Sequence, residues 1–149
     1  MRFELTAEQQ EFYDKVRAFA DRAVRPRVAL IDDTDDFPHD IVKEAGAFGL
    51  MGLTVPTRYG GGGLDYVSYA LAIETVSHAS ATVGVILAVN NSLVAEVVAQ
   101  YGSEEQRTHW LERLALGAFA LSEPDAGTDA AHQLTTATRE GTGYRLHGR

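Results

Sequence analysis

The stretch Phe119-Ala-Leu-Ser-Glu-Pro-Asp-Ala-Gly-Thr128 marks the point at which the character of this chain changes. An apolar run begins at Phe119 and is predicted to extend as a short strand. Pro124 has no N–H and a restricted φ, so a β-ladder cannot continue through it. The residues from Asp125 to Gly127 are typical of a loop that turns sharply or approaches a ligand closely. The stretch therefore predicts a strand that ends in a polar corner.

Two hydroxyl groups flank this corner. Ser122 precedes the proline and Thr128 follows the glycine, and both lie beside backbone N–H groups that no ladder uses. Donors in this arrangement can hold a flat polar ligand by its edge. The residues alone leave an ordinary surface β-turn as the alternative, because short loop motifs often occur without a ligand.

Helical patterns fill the chain before the corner. Thr6-Ala-Glu-Gln9 and Ser103-Glu-Glu-Gln106 each predict a capping box at a helix start. Arg25-Pro26 is predicted to kink or end the first helix, with a short second helix to about Ile31. Another helix is predicted to begin at Phe37-Pro38 and to stop near Gly46.

Two further helices complete this helical part. One is predicted to start at Asp65 and the other to run from about Thr82 to Tyr101, ending at Gly102. The second is apolar nearly all round at its start, which predicts burial among neighbours. Gly60 to Gly63 is predicted to be a flexible loop. The side chains predicted to face the core are Phe12, Val16, Phe19, Ala23, Tyr69, Ala72, Ile73, Val76, Trp110, Leu111 and Leu114.

Beyond Ala118 the periodicity becomes that of strands. Thr135 to Arg139 and Tyr144 to His147, joined by a turn at Gly141 to Gly143, predict a β-hairpin. The predicted fold is therefore mainly α. It consists of a helical N-terminal domain over residues 1–116 and, over residues 117–149, the beginning of a β domain.

The composition excludes several classes of function. A formal net charge of −8 argues against nucleic acid and against anionic membranes, since both require a basic surface. The absence of cysteine excludes disulfides and thiolate chemistry. No metal site is predicted from the unclustered histidines, which are His39, His78, His109, His132 and His147.

The sequence also carries no targeting signal that we recognise. Met1 to Glu4 is followed by acidic and polar residues rather than an apolar signal core. The longest apolar run, Val83 to Val89, is too short to span a bilayer. These features predict a cytoplasmic protein that does not associate with membranes.

The corner resembles the flavin-binding segment of the acyl-CoA dehydrogenases. That segment has an aromatic residue, two small or apolar residues, Thr or Ser, Glu-Pro, and then a Gly-Ser-Asp-like triplet. Phe119-Ala-Leu-Ser-Glu-Pro124, Gly63-Leu64-Asp65-Tyr66 and Val89-Asn90-Asn91-Ser92-Leu93 are most similar to the short-chain (butyryl) branch. The resemblance runs from Leu5 to Arg149 in the order of the family.

The resemblance implies FAD as cofactor and a short-chain acyl-CoA as substrate. It implies a fold in which a helical N-terminal domain is followed by a β-barrel-like middle domain. Thr128, Val89 and Asn90 are implied to contact the substrate, with Thr128 in place of the family's Ser. The residues implied to bind FAD are Phe119, Ala120, Leu121, Ser122, Glu123, Pro124, Asp125, Ala126, Gly127 and Thr128.

The resemblance also implies that the catalytic base lies in a C-terminal bundle beyond Arg149. No catalytic residue is therefore expected in this chain, which we expect to be part of something longer and inactive alone. The implied electron acceptor is an electron-transferring flavoprotein, and a homotetramer is expected only for the complete protein. Two alternatives stay open, a non-catalytic helical module that binds a partner chain and a flavin oxidase or monooxygenase on the same scaffold.

Overall fold

The computed structural model describes residues 4–34, 36–113 and 116–149. Most of these residues are helical, and a two-stranded antiparallel sheet lies near the C-terminal end. Within the described ranges the α-helices are α1 (Ala7–Phe19), α2 (Val28–Thr34), α3 (His39–Phe48), α4 (Tyr66–Ala79), α5 (Ala81–Val89), α6 (Glu96–Tyr101) and α7 (Glu104–Leu111). The strands are β1 (Thr136–Glu140) and β2 (Gly143–His147). The predicted fold class is confirmed.

Local capping chemistry explains where the helices begin. The Gln9 N–H donates to Thr6 Oγ1 at 3.2 Å, and the Thr6 N–H donates to Gln9 Oε1 at 3.0 Å. Ser103 and Gln106 form the same reciprocal pair at the start of α7. Asp65 caps α4 by accepting the Ser68 N–H at 2.7 Å. Each of these bonds satisfies an N–H that has no partner inside its helix, so the predicted starts are confirmed.

The helix ends follow less closely from the sequence. The first helix is interrupted at the proline, as predicted. It ends as an α-helix at Phe19 and is followed by a π-helical turn, Ala20–Val24, and by a 3-10 turn, Arg25–Arg27, that contains Pro26. The predicted end of α3 near Gly46 is wrong by two residues. That helix continues to Phe48, where the Gly49 N–H donates to the carbonyls of Ala45 and Gly46.

The main core lies between α1, α3, α4 and α5. Its fully buried side chains include Val16, Phe19, Leu50, Val76 and Leu87. A smaller hydrophobic cluster lies between α7 and the segment that precedes α4. It consists of Val55, Tyr59, Ala95 and Leu111. The predicted inward stripes of α1 and α4 are confirmed, since their members are buried or pack against the main core.

Two predictions of burial are wrong. The Trp110 side chain is 57% exposed and lies edge-on to His109, because α7 turns only its Leu111 side toward the core. Val85 is 61% exposed, so α5 is not covered on every side. Leu114 lies outside the described residues.

The Gly60–Gly63 loop is tied to the connector that follows α3. The N–H groups of Gly62 and Gly63 donate to the carbonyls of Gly52 and Val55 at 2.9 and 2.8 Å. The Leu64 N–H donates to the Leu53 carbonyl at 2.9 Å. The prediction of a flexible loop is not confirmed, because these hydrogen bonds hold the loop against residues 52–55. The sequence does not reveal them, since the two segments come together only in the folded chain.

The helical stretch Ala81–Tyr101 is the one part of the described chain that could cross a membrane by length and composition. It has 21 residues and extends beyond the run Val83–Val89, which alone is too short to span a bilayer. A core helix of a water-soluble protein passes the same test. Asn90 and Asn91 lie in the middle of the stretch and bond to the connector at residues 50–53, which is the behaviour of a core helix.

The chain divides into two compact units, residues 1–118 and residues 119–149. Gly117, which the sequence analysis gave to the second domain, bonds within the first unit, since its N–H donates to Asn90 Oδ1 at 2.8 Å. In the second unit, β1 pairs with β2 from Thr136 opposite His147 to Glu140 opposite Gly143. The predicted hairpin is confirmed.

Replacement of Gly84 by alanine should destabilise the helical unit. A Cβ at residue 84 would lie 2.0 Å from Ser77 Oγ and 2.8 Å from Ser77 Cα, so α4 and α5 would have to separate. Overpacking of this kind costs about 1–3 kcal/mol, which urea unfolding followed by circular dichroism would measure.

Gly46→Ala is the matched control. Gly46 also lies inside a helix, but a Cβ there would make an ordinary contact of 3.7 Å with Met51 Cγ. The control should raise the free energy of unfolding by about 0.5–1 kcal/mol through the better helix propensity of alanine. Equal destabilisation by both substitutions would contradict the packing that we describe.

Candidate functional site

The predicted corner is a closed turn. The Glu123 N–H donates to the Ala126 carbonyl at 3.0 Å, and the Ala126 N–H donates to the Glu123 carbonyl at 3.2 Å. Pro124 and Asp125 occupy the two central positions, where proline supplies the required φ and aspartate is well tolerated. Phe119 to Leu121 lies in no strand, so that part of the prediction is wrong. A strand needs a partner to pair with, and the described residues offer none to this segment.

Glu123 fastens the corner to the residues before β1. Its carboxylate accepts the N–H of Leu134 at 2.6 Å and the N–H of Thr135 at 3.0 Å. Hydrogen bonding from the Thr135 side chain, followed by the Leu134 N–H, holds the pKa of Glu123 below its ordinary value. Both bonds favour the charged carboxylate, so Glu123 is a structural anion of the loop.

Two further bonds close the loop on itself. Gln133 Nε2 donates to the Leu121 carbonyl at 2.5 Å. Asp129 Oδ1 accepts the Ala131 N–H at 3.2 Å and caps a 3-10 turn, Ala130–His132. The corner is therefore held from both sides by bonds within residues 119–149.

The corner also has exposed apolar side chains and hydroxyl groups that are free to contact a ligand. Phe119 and Leu121 are 43% and 40% exposed, and the hydroxyl-bearing side chains of Ser122 and Thr128 are exposed. Within the described ranges, neither hydroxyl has a hydrogen-bond partner in the protein. An apolar surface beside unused donors fits a flat ring that has an apolar face and a polar edge, as the isoalloxazine of FAD has.

The structure brings all ten predicted FAD-binding residues together in this one loop. Eight of them are exposed, Glu123 is half-buried, and Ala126 is buried at 2%. Ala126 can therefore meet a ligand only through its backbone. The predicted substrate residues divide between the two units, with Thr128 in the second and Val89 and Asn90 in the first.

Asn90 and Asn91 hydrogen-bond to the connector after α3, at residues 50–53. The Asn91 amide accepts the Leu53 N–H at 2.7 Å and donates to the Leu50 carbonyl at 2.8 Å. Asn90 Nδ2 donates to the Met51 carbonyl at 2.8 Å, and both asparagines are essentially unexposed. The family resemblance implies a substrate contact for Asn90, whereas in the structure both ends of its side chain are hydrogen-bonded to the protein.

These asparagines also explain a local change in the helix. The stretch Asn90–Ala95 forms a π-helical turn, and Asn91 Nδ2 donates to the Leu87 carbonyl at 2.9 Å in the preceding turn. A side chain that enters the helical ladder is a recognised cause of such irregularity. The only signal in the sequence is a pair of amides inside an apolar helix.

Sequence reasoning missed a carboxylate, Glu96, that three side chains hydrogen-bond beside this turn. Glu96 accepts hydrogen bonds from Gln100 Nε2 at 2.6 Å, Tyr66 Oη at 2.9 Å and Thr54 Oγ1 at 3.0 Å. Partial burial acts to raise the pKa of Glu96, but the three donors together lower it. A carboxylate held charged in this way is poorly suited to act as a general base near neutral pH.

The cavity next to Glu96 is small. Its volume is about 40 Å³, and it is lined by Thr54, Tyr66, Tyr69, Asn91, Ser92 and Glu96. A space of this size suits a water molecule rather than an acyl chain. In the part of the chain that the structure describes, no group of three or more metal-ligating side chains occurs.

Comparison with known proteins identifies the class. The model of the acyl-CoA dehydrogenase N-terminal domain matches residues 6–118. The chain therefore belongs to the acyl-CoA dehydrogenase family, which confirms the family predicted from the sequence.

Relatives of this chain include short-chain members of the family. The short-chain specific acyl-CoA dehydrogenase of Clostridium acetobutylicum is 43% identical over 99% of this chain and 40% of its own length. Butyryl-CoA dehydrogenase from Megasphaera elsdenii matches at a TM-score of 0.92 and 36% identity, over 99% of this chain and 41% of its own. A chain in the structure of the electron transferring flavoprotein of Acidaminococcus fermentans matches at a TM-score of 0.95 and 39% identity, over 99% of this chain and 40% of its own. The chain thus spans about 40% of the length of these relatives.

Glu123 should titrate below its ordinary pKa of 4.5. Because its folded pKa is lowered, the bonds to Leu134 and Thr135 stabilise the loop above pH 4.5 and are lost as the pH falls through the lower folded value. The amide resonances of Leu134 and Thr135, followed by NMR during an acid titration, should shift with a midpoint below 4.5.

Two variants test the assignment of that titration. Glu123→Gln should abolish the shift, since it removes the titrating carboxylate. Asp125→Asn, which removes the neighbouring acid of the same turn, should leave the shift in place. A midpoint at or above the ordinary value would show that the Glu123 bonds are absent in solution.

Proposed function

We propose that this chain supplies part of the flavin and acyl pocket of an FAD-dependent dehydrogenase of short-chain acyl-CoA thioesters. The reaction is αβ-dehydrogenation to the trans-2-enoyl-CoA. The observation that carries the proposal is the corner at residues 119–128. There, a member of this family presents exposed apolar groups and unused hydroxyls on a loop that its own hydrogen bonds hold in shape.

The residues of the corner would hold FAD in complementary ways. Phe119 and Leu121 offer apolar surface to the ring system, while the Ser122 hydroxyl and nearby backbone N–H groups offer donors to its polar edge. FAD, when bound, supplies the hydride acceptor for the β-hydrogen of the substrate. Donors already in position stabilise negative charge that develops during a reaction without having to reorganise.

Three residues are proposed for the acyl-CoA, which are Thr128, Val89 and Asn90. Thr128 keeps the hydroxyl expected at its position and is exposed, so it can donate to the thioester part of the substrate. Val89 is half-buried at the end of α5 and would offer apolar surface to the acyl chain. Asn90 would contribute through the helix that it shapes, because its side chain is already bonded at both ends.

The chemical step needs a base that we place outside these 149 residues. Glu96 and Glu123 are hydrogen-bonded carboxylates close in sequence to the proposed substrate and flavin residues. Both have lowered pKa values. The proposed electron acceptor is an electron-transferring flavoprotein, which the match to a chain in such a structure supports. A homotetramer is proposed only for the complete protein.

The natural polypeptide that contains this chain should purify with visible flavin absorbance. Anaerobic addition of butyryl-CoA should bleach that absorbance, because the flavin is reduced. Rapid reoxidation by dioxygen would instead favour an oxidase or monooxygenase. A colourless protein that takes up no added FAD would overturn the proposal and favour a partner-binding module.

Single substitutions divide the roles of the two hydroxyls. Ser122→Ala should raise the FAD dissociation constant about threefold to tenfold, which corresponds to one lost hydrogen bond. Thr128→Ala should chiefly raise the KM for butyryl-CoA. Thr138→Ala, in the exposed strand β1, is the control and should change neither quantity.

A further inference from the structure

Gly117 is bonded to the middle of the helical stretch Ala81–Tyr101. Its N–H donates to Asn90 Oδ1 at 2.8 Å, across 27 residues of sequence. The other end of the same amide donates to the Met51 carbonyl at 2.8 Å. Asn90 therefore links three segments of the first unit, which are the π-helical turn, the connector after α3 and the chain just before the proposed flavin loop.

Packing holds Gly117 against the same turn. A Cβ at residue 117 would lie only 2.4 Å from Val94 Cγ1, so the backbone passes the helix at a distance that only glycine permits. The hydrogen bond and the close approach are independent observations. Both place residue 117 against residues 90–94.

We propose that Asn90 is a positioning residue for the flavin site. It fixes the backbone at Gly117, two residues before Phe119, and so fixes the point from which the FAD-binding loop leaves the helical unit. The inference rests on the proposed function, because it concerns the same loop. It gives Asn90 an indirect role in place of the substrate contact expected from the sequence.

The burial of Asn90 makes this role specific. Its side chain is 0% exposed, so water cannot readily replace either partner when the amide is removed. Loss of the amide would leave the Gly117 N–H without its acceptor and free residues 117 and 118 to shift. A shift at that point would be passed along the covalent chain to Phe119, the first residue of the loop.

Asn91 provides a matched control. It is as buried as Asn90 and bonds to the same connector, through Leu50 and Leu53, but it makes no bond to Gly117. Asn90→Ala and Asn91→Ala should both destabilise the protein. Only Asn90→Ala should disturb the flavin.

The test uses the natural polypeptide that contains this chain. We expect Asn90→Ala to raise the FAD dissociation constant about tenfold, to shift the visible flavin spectrum, and to speed hydrogen exchange of the Gly117 amide about tenfold or more. Asn91→Ala should leave all three near their wild-type values. Equal changes in both variants would overturn the proposal, since they would reflect general destabilisation.

A second pair of variants covers the case in which Asn90→Ala does not fold. Gly117→Ala leaves Asn90 intact but pushes the chain away from Val94, so it should weaken FAD binding to a similar extent. Adding Val94→Ala should restore binding by making room for the new methyl group. Failure of this rescue would count against the positioning role.

The outcomes separate this inference from the proposed function. Wild-type protein that binds no FAD would overturn both. Wild-type protein that binds FAD, together with an Asn90→Ala variant whose Gly117 amide exchanges rapidly but whose FAD affinity is unchanged, would overturn the positioning role alone.

Discussion

The hydrogen bonds of Asn90 and Asn91 hold the helical unit around a segment that has no regular structure of its own. The connector at residues 50–53 is buried, so its backbone groups need partners that neither helix nor sheet provides. The two amides supply those partners from a π-helical turn in the facing helix. The Gly60–Gly63 loop in turn donates hydrogen bonds to Gly52 and Val55, so its position depends on the two asparagines as well.

A similar constraint operates in the second unit on a smaller scale. Glu123 accepts two backbone N–H groups from the residues before β1, and this fixes the turn at Pro124 and Asp125. In both units, the polar groups that organise the fold are already hydrogen-bonded to protein partners. The hydroxyl-bearing side chains of Ser122 and Thr128 are exposed instead, and this contrast separates structural groups from candidate ligand donors.

Features encoded within a few residues could be predicted from the sequence. The caps at Thr6, Asp65 and Ser103 depend on side chains that reach an N–H three residues away, and the hairpin depends on a short turn. The corner at residues 119–128 was recognisable because Pro124 and the flanking hydroxyls are contiguous. Trp110 was assigned to the wrong side because periodicity gives the spacing of an apolar stripe but not the width of the surface that covers it.

The sequence by itself determined the family, the helix starts and the loop that carries the candidate flavin donors. Only the tertiary structure decided what Asn90, Asn91 and Glu96 do and where Gly117 is held. The physical reason is the range of the interactions. Caps and turns join near neighbours, whereas the amide bonds to residues 50–53 and to Gly117 join groups 27 to 41 residues apart, whose proximity arises only once the core has packed.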